Sequence, residues 1–364
     1  MCTSYGPDGL ATLQRTITSC TTLIESFRLT LQSHRELHSS IQDPPNPLAV
    51  LSDAFQVLSA QTTKLSLLVL NKPFTPSAIT LILRSLSNSC LPSMMSALEL
   101  CLADQYTELL HNHVQSSLSI TFTELLNLLA SIPQDEHGIE IVRRDVLAST
   151  GVLWAECQKM VDLGANGLVG LARQKVEENH GLLKDAIEEI EDWDPDEAEL
   201  DSDTGSVSEI EDTLEPATTS DDDVLSRSLE DPKMGMDACH KHILTHLRLI
   251  RVLYPALQKR RITTFPNISS ASTPKTMPTV DQIEELDMLV TCTRQWTECA
   301  DEVAGLLYDR NEVLVEVKLN RLRDHAGSCV KGFRRGWNDM EDEFTGWSEK
   351  WLARLKEVSE EVGG

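Results

Sequence analysis

Apolar residues at three- and four-residue spacing, repeated in one long run after another, restrict this chain to helices that each bury one stripe. Leu10, Leu13, Ile17, Cys20, Ile24, Phe27 and Leu31 form the first stripe, with the period of a helix rather than a strand. Asp43-Pro44-Pro45-Asn46-Pro47 stops it, and Pro47 suits the first turn of a second helix. That helix carries Leu48, Leu51, Phe55, Leu58, Thr62, Leu65 and Leu68. Asn71-Lys72-Pro73 breaks it, and Thr75-Pro76 begins a third helix running towards Cys101, with a kink expected at Pro92. A fourth passes through Leu109, His113, Leu118, Phe122, Leu125 and Leu129 to Ile132-Pro133. A fifth passes through Val146, Leu153, Cys157 and Val161, and Gly164-Ala165-Asn166-Gly167 is expected to separate it from a sixth that ends at Trp193. Aromatic residues make up only 5% of the 364 positions, which weighs against an all-β architecture.

The pattern stops where the charge concentrates. The chain carries a formal net charge of −25. Residues 1–187 account for −6, residues 188–231 for −18 and residues 233–364 for −1. The central segment holds Arg227 against 19 acidic residues, with its apolar residues isolated; such a composition cannot bury enough surface to offset chain entropy. The reading is an all-α protein of two antiparallel helical bundles joined by a disordered acidic linker: 1–193, 194–232 and 233–364. The second bundle starts with Ile243, Leu247, Ile250, Leu253 and Leu257, then continues after a Ser/Thr/Pro-rich loop with Val280, Ile283, Leu286, Leu289, Cys292, Trp296, Cys299, Val303 and Leu306. Whether residues 280–333 make one helix or two is open at this level. A last helix carries Trp337, Phe344, Trp347, Trp351 and Leu355.

The longest apolar runs fall far short of the roughly 20 residues that cross a bilayer, and Met1 to Leu31 lacks the layout of a secretory signal, so no transmembrane segment is expected. Nine scattered cysteines, Cys20, Cys292 and Cys299 among them on apolar stripes, read as free thiols in a reducing compartment. The overall acidity argues against direct nucleic-acid binding, which needs a basic face.

Chemistry-bearing patterns are few. Cys239, His240, His242 and His246 are grouped, but Ile243 stands where a zinc protease has glutamate; they read as surface residues of a helix, and no metal or cofactor is expected. His111-Asn112-His113 sits inside a helical pattern, without the strands or basic groove of a nuclease. Gly164, Gly167 and Gly170 follow a helix rather than a strand and are not a dinucleotide fingerprint. Nothing supports an enzyme. Ser206, Ser208, Thr219, Ser220 and Ser228 each precede an acid by three positions, the arrangement an acidophilic kinase reads, and each phosphate would add about −1.5 to −2 charges. Lys318, Arg321, Arg323, Lys331, Arg334 and Arg335 form a basic group near Phe333, Trp337, Trp347 and Trp351, a candidate site for an acidic partner, anionic lipid or the linker itself.

Thr150-Gly151-Val152-Leu153-Trp154-Ala155-Glu156-Cys157, then Asn166, then Lys184-Asp185-Ala186-Ile187-Glu188-Glu189, resembles the cyclin-D-binding protein family, also called GCIP-like. The resemblance rests on Gly151, Trp154, Asn166, Lys184, Asp185 and Glu188, with Trp154 expected as a core anchor. It implies an all-helical regulator of nucleus and cytoplasm that binds D-type cyclins or helix-loop-helix transcription factors and restrains cell-cycle progression. Consecutive long-helix bundles also resemble vinculin and catenin modules, which leaves a cytoskeletal or membrane-adjacent adaptor as the alternative.

Overall fold

The computed structural model describes residues 7–33, 45–101, 106–133, 138–193, 235–266 and 278–360. The expected linker and its five candidate phosphorylation sites lie outside the described residues. Those described are helical, with no strand among them, so the fold is all-α. They divide into two compact units, one within Met1–Arg173 and Phe265–Asp287, the other within Gln174–Thr264 and Met288–Gly364.

In the first unit, α1 (Pro7–Gln32) buries Leu13, Cys20, Ile24 and Leu31, one side of the expected stripe. Asn46 caps α2 (Pro47–Leu70), accepting a hydrogen bond from the Leu48 N–H at 2.9 Å. The third expected helix is in three pieces: α3 (Pro76–Ser85), a π turn over Leu86–Cys90, and α4 (Leu91–Leu100). Pro92 has no N–H to donate to residue 88, and the wider turn just before it accommodates that missing bond. Thr107 caps α5 (Glu108–Ala130) through its side-chain oxygen, 3.0 Å from the Leu110 nitrogen. Asp287 reinforces that end, accepting from the Glu108 and Leu109 N–H groups at 2.6 and 3.0 Å. A carboxylate is favoured at a helix N-terminus, although burial of Asp287 pushes its pKa up.

α6 runs over Ile139–Asp192, 54 residues, with a break at Gly167 (φ 65°, ψ −167°). The expected separation therefore narrows to one residue, because the chain resumes helical dihedrals directly after it. α2 and α6 are antiparallel: the Ser66 and Thr150 hydroxyls meet at 2.6 Å, while Gly164 lies against Ser52. A Cβ on Gly164 would come within 2.6 Å of the Ser52 Cβ, so glycine is what lets these backbones approach.

In the second unit stand the last third of α6, α7 (Met236–Arg251), α8 (Leu253–Leu257) with a π turn at Gln258–Ile262, α9 (Val280–Tyr308) from Met288 onward, α10 (Glu312–Gly332) and α11 (Glu343–Glu360). Residues 280–333 thus make two helices. Arg310 turns the chain at φ 55°, and Asn311 caps α10 by accepting from the Leu314 N–H at 3.2 Å. Ion pairing of Glu302 with Lys318 and proximity of Cys292 to Cys329 make α9 and α10 antiparallel. The contacts of residues 174–193 differ from the boundary expected at 193. Asn179 donates to the Thr293 hydroxyl at 3.0 Å, and His180 stacks on Tyr254. The Ile190 carbonyl lies 2.6 Å from His240 Nε2, and Glu191 accepts from Arg248 at 2.8 Å. These residues pack with the C-terminal helices because the apolar stripe of α6 continues there through Val176, Leu183, Ile187 and Ile190.

Arg261, only 1% exposed, ties the second unit together. Its guanidinium donates to the carbonyls of Arg260 (2.7 Å), Phe333 (2.7 Å) and Arg334 (2.9 Å) and to Asp342 (2.7 Å), and it lies 4.5 Å from the Phe344 ring centroid. Asp342 in turn caps α11, accepting from the Phe344 and Thr345 N–H groups at 2.9 and 3.2 Å. α11 starts at Glu343, so Trp337 falls in the preceding turn rather than in the expected last helix. Its indole N–H donates to the Arg261 carbonyl at 2.8 Å.

Two stability measurements check this account. Gly167→Ala forces a side chain into a backbone region that L-residues avoid and should cost about 1–3 kcal/mol, read by urea unfolding. Asp342→Ala leaves the buried Arg261 guanidinium without its half-exposed anion and removes a helix cap, and should cost roughly 1.5–3 kcal/mol; a loss under about 1 kcal/mol would show that the pair behaves as an exposed one.

Candidate functional site

The outward side of α6 between Asp145 and Glu156 contains no charged residue. The buried stripe here is Val146, Thr150, Leu153 and Cys157. Residues one or two positions off it turn by about 100° per residue and face away from the core. Leu147 and Trp154 are therefore 54% and 47% exposed, and Ala148, Gly151, Val152 and Ala155 are exposed beside them. Trp154 is not the core anchor expected of it. Its indole N–H instead donates to the Thr63 hydroxyl of α2 at 3.1 Å, which lays the ring along the α2–α6 seam. One turn further along α2, on the same face, Leu67 is 55% exposed. Because the helices are antiparallel, the Leu67 end of α2 runs alongside the Leu147 end of α6. Gly151 has open space where a Cβ would stand, so the surface dips between Leu147 and Trp154.

Beneath this face the packing is polar but uncharged, apart from one carboxylate. Glu156 is buried, accepting from Ser117 at 2.9 Å and from Lys159 at 2.6 Å. Ser66, Thr150 and the Val146 carbonyl form a short hydroxyl chain. These bonds hold α6 in register with α2 and α5, and so hold the Trp154 face rigid.

The remaining motif residues are not gathered around Trp154. Asn166 is exposed next to the Gly167 break, and a Cβ on Gly170 would sit 2.4 Å from its own Cβ. Lys184, Asp185 and Glu188 are exposed on the part of α6 that belongs to the second unit, where Ala186 and Ile187 supply the packing.

The basic group is largely satisfied by its own neighbours. Lys318 pairs with Glu302, Arg334 with Glu349, and Arg335 with Asp339 at 3.0 Å, while Arg323 bonds Asn320. Arg321 and Lys331 are exposed. The nearby tryptophans serve the fold: Trp351 is buried and donates to the Leu249 carbonyl at 2.9 Å, and Trp347 stacks on Phe344.

His242 and His246, expected on a helix surface, are buried and stacked with ring centroids 4.3 Å apart. Cys239 is buried on the same helix, whereas His240 turns to the Ile190 carbonyl. The Glu316 carboxylate lies 3.8 Å from His242 Nε2. Burial lowers both histidines, and His246 falls to about 4, so the pair is neutral near pH 7. The signal missed in the sequence was the i, i+4 spacing in phase with Cys239 and Ile243. Between α1 and the α3–α4 bend, an open depression of about 330 Å³ is lined by Arg15, Arg84 and small polar residues. It offers no enclosed substrate site. No described helix is long and apolar enough to cross a membrane.

Residues 50–196 match the family model described as Grap2 and cyclin-D-interacting, N-terminal. This part of the chain is similar to that family. The match runs from the first turn of α2 through α6, with both walls of the Trp154 seam. An uncharacterised protein of Schizosaccharomyces pombe (strain 972) is 24% identical over 319 residues, spanning 86% of each chain. That relative adds no function.

The buried histidines set an acid limit. An unfolded histidine titrates at about 6.5, while folded His246 takes up its second ring proton only at about pH 4. The unfolded chain therefore binds more protons in that window, so stability should be level above about pH 6.5 and fall as pH drops towards about 4. Urea unfolding across pH 7.5 to 4.5 should show this slope, and His246→Gln should flatten it; an unchanged slope would assign it to other groups.

Proposed function

We propose that this chain is a non-enzymatic regulator that binds a D-type cyclin through the Trp154 face of α6, restrains cell-cycle progression, and works in nucleus and cytoplasm. The family description supports a cyclin-binding role. The observation that carries the choice of surface is the half-exposed Trp154 in an uncharged helix face within the matched residues. A tryptophan flanked by small and aliphatic residues desolvates cheaply and contributes large contact area, as the centre of protein–protein interfaces does. The linker, through Ser206, Ser208, Thr219, Ser220 and Ser228, is the segment in which an acidophilic kinase would tune that activity.

Trp154→Ala and Leu147→Asp, made separately in the full chain, test the reading. Both should keep the helical circular-dichroism spectrum, because half-exposed residues carry little of the core. Both should weaken binding of a purified D-type cyclin by about tenfold or more. Wild-type protein that fails to bind the cyclin, but binds a helix-loop-helix factor or anionic vesicles, would replace the partner. Cyclin binding unaffected by either substitution would move the site elsewhere.

A further inference from the structure

Cys292 on α9 was expected as a free thiol; it is joined to Cys329 on α10, and His325, one helical turn before Cys329, completes a three-residue cluster. His325 Nε2 lies 3.5 Å from the Cys329 sulfur and 3.9 Å from the Cys292 sulfur. One ligand atom from each residue falls within 4.8 Å of the others, a grouping found at no other place among the described residues. We propose that these three side chains form a redox-gated Zn²⁺ site: the reduced pair and His325 bind the ion, and the disulfide excludes it.

The spacing fits the ion. Tetrahedral zinc with Zn–S near 2.3 Å and Zn–N near 2.0–2.1 Å has an S···N edge of about 3.5 Å, which the His325 contacts already approximate. The Cys292 and Cys329 Cα atoms stand 6.9 Å apart, just beyond the usual disulfide range of about 4.4–6.8 Å. The sulfurs can therefore part to the S···S edge of about 3.8 Å without the helices closing in. Both cysteines are buried, whereas His325 is half-buried and leaves an entry from solvent. Trp296, fully buried, stands edge-on to the imidazole at 6.5 Å and closes the inner side. Two thiolates and an imidazole select Zn²⁺ over the hard cations Mg²⁺ and Ca²⁺. Three protein ligands leave a fourth position for water or a partner's side chain.

Entry of the metal requires reduction. Two equivalents of a small thiol reductant transfer two electrons and two protons to the disulfide, leaving two cysteine thiols and the oxidised reductant. Zn²⁺ then binds both sulfurs and releases the two thiol protons. The other buried cysteines do not compete. None of them has two further ligand atoms gathered about it among the described residues, and burial drives the Cys90, Cys101 and Cys157 thiols up to about 12. This site is in the second unit and does not depend on the cyclin reading.

The test uses the full chain, reduced and freed of reductant without oxygen, titrated with Zn²⁺ against a chromophoric chelator. One equivalent should bind. Cys292→Ser, Cys329→Ser and His325→Gln should each weaken that binding by about 100-fold or more, and oxidised protein should bind none until reduced again. No zinc retained by the reduced wild type, equal binding by the serine variants, or equal binding before and after reduction would each overturn the proposal. X-ray absorption on zinc-loaded wild type needs no variant. Two sulfurs near 2.3 Å with nitrogen or oxygen near 2.0–2.1 Å are expected, and a shell with no sulfur or with four would refute the site.

Discussion

The architecture depends on α6 keeping one apolar stripe over 54 residues while tolerating a single glycine break. α6 is longer than any other described helix, so no one set of neighbours can cover its whole length. Here the neighbours change. Residues through Arg173 pack with α2 and α5, and those from Gln174 pack with α7 and α9. Gly167, at φ 65° and ψ −167°, lies near the change, in a conformation that a side chain would oppose. Gly164, just before it, lets α6 come within reach of the Ser52 side chain of α2. The two glycines answer separate demands, one for a backbone angle and one for close approach.

Most of the helices were legible in the sequence because burial and local punctuation agree. Asn46-Pro47 caps α2 as its chemistry requires, and the α2 stripe is buried from Leu48 to Leu65. What stayed illegible depends on contacts distant in the chain. An arginine among other basic residues looks solvent-exposed, yet Arg261 is buried because carbonyls some 70 residues away accept its protons. The expected boundary at 193 follows a composition shift that marks where apolar patterning ends, not where contacts divide. Trp154 shows the limit of periodicity itself. It lies one residue from the buried Leu153, and a rotation of about 100° separates a core residue from a surface one. Its apolar chemistry gave no warning of that.

A surface tryptophan has to be held, or its own entropy opposes binding. The Thr63 hydroxyl fixes one edge of the Trp154 ring, and the hydroxyl chain through Ser66 and Thr150 fixes the helix beneath it. Polar groups without charge suit this role. They orient the face while leaving no ion to desolvate when a partner covers it. The basic group on α10 and the turn after it has the opposite character, because most of its cations already have an acid or amide beside them. A second acidic partner would have to compete with those neighbours, which leaves the linker less to gain there than its charge of −14 implies.

Thiol burial works in two ways in this fold, and geometry decides which. A buried sulfur such as Cys157 is held protonated by burial, with the neighbouring Cys90 and Glu156 adding to the effect, and it serves to fill volume. Cys292 and Cys329 are equally removed from water, but each has the other sulfur and an imidazole nitrogen within 4 Å. Their protons can leave only if something replaces them, either a covalent bond between the sulfurs or a cation among the three atoms. Both outcomes tie α9 to α10 at the same point. The second unit is therefore cross-linked in either redox state when zinc is present, and what changes is whether a coordination position faces the half-buried side of His325.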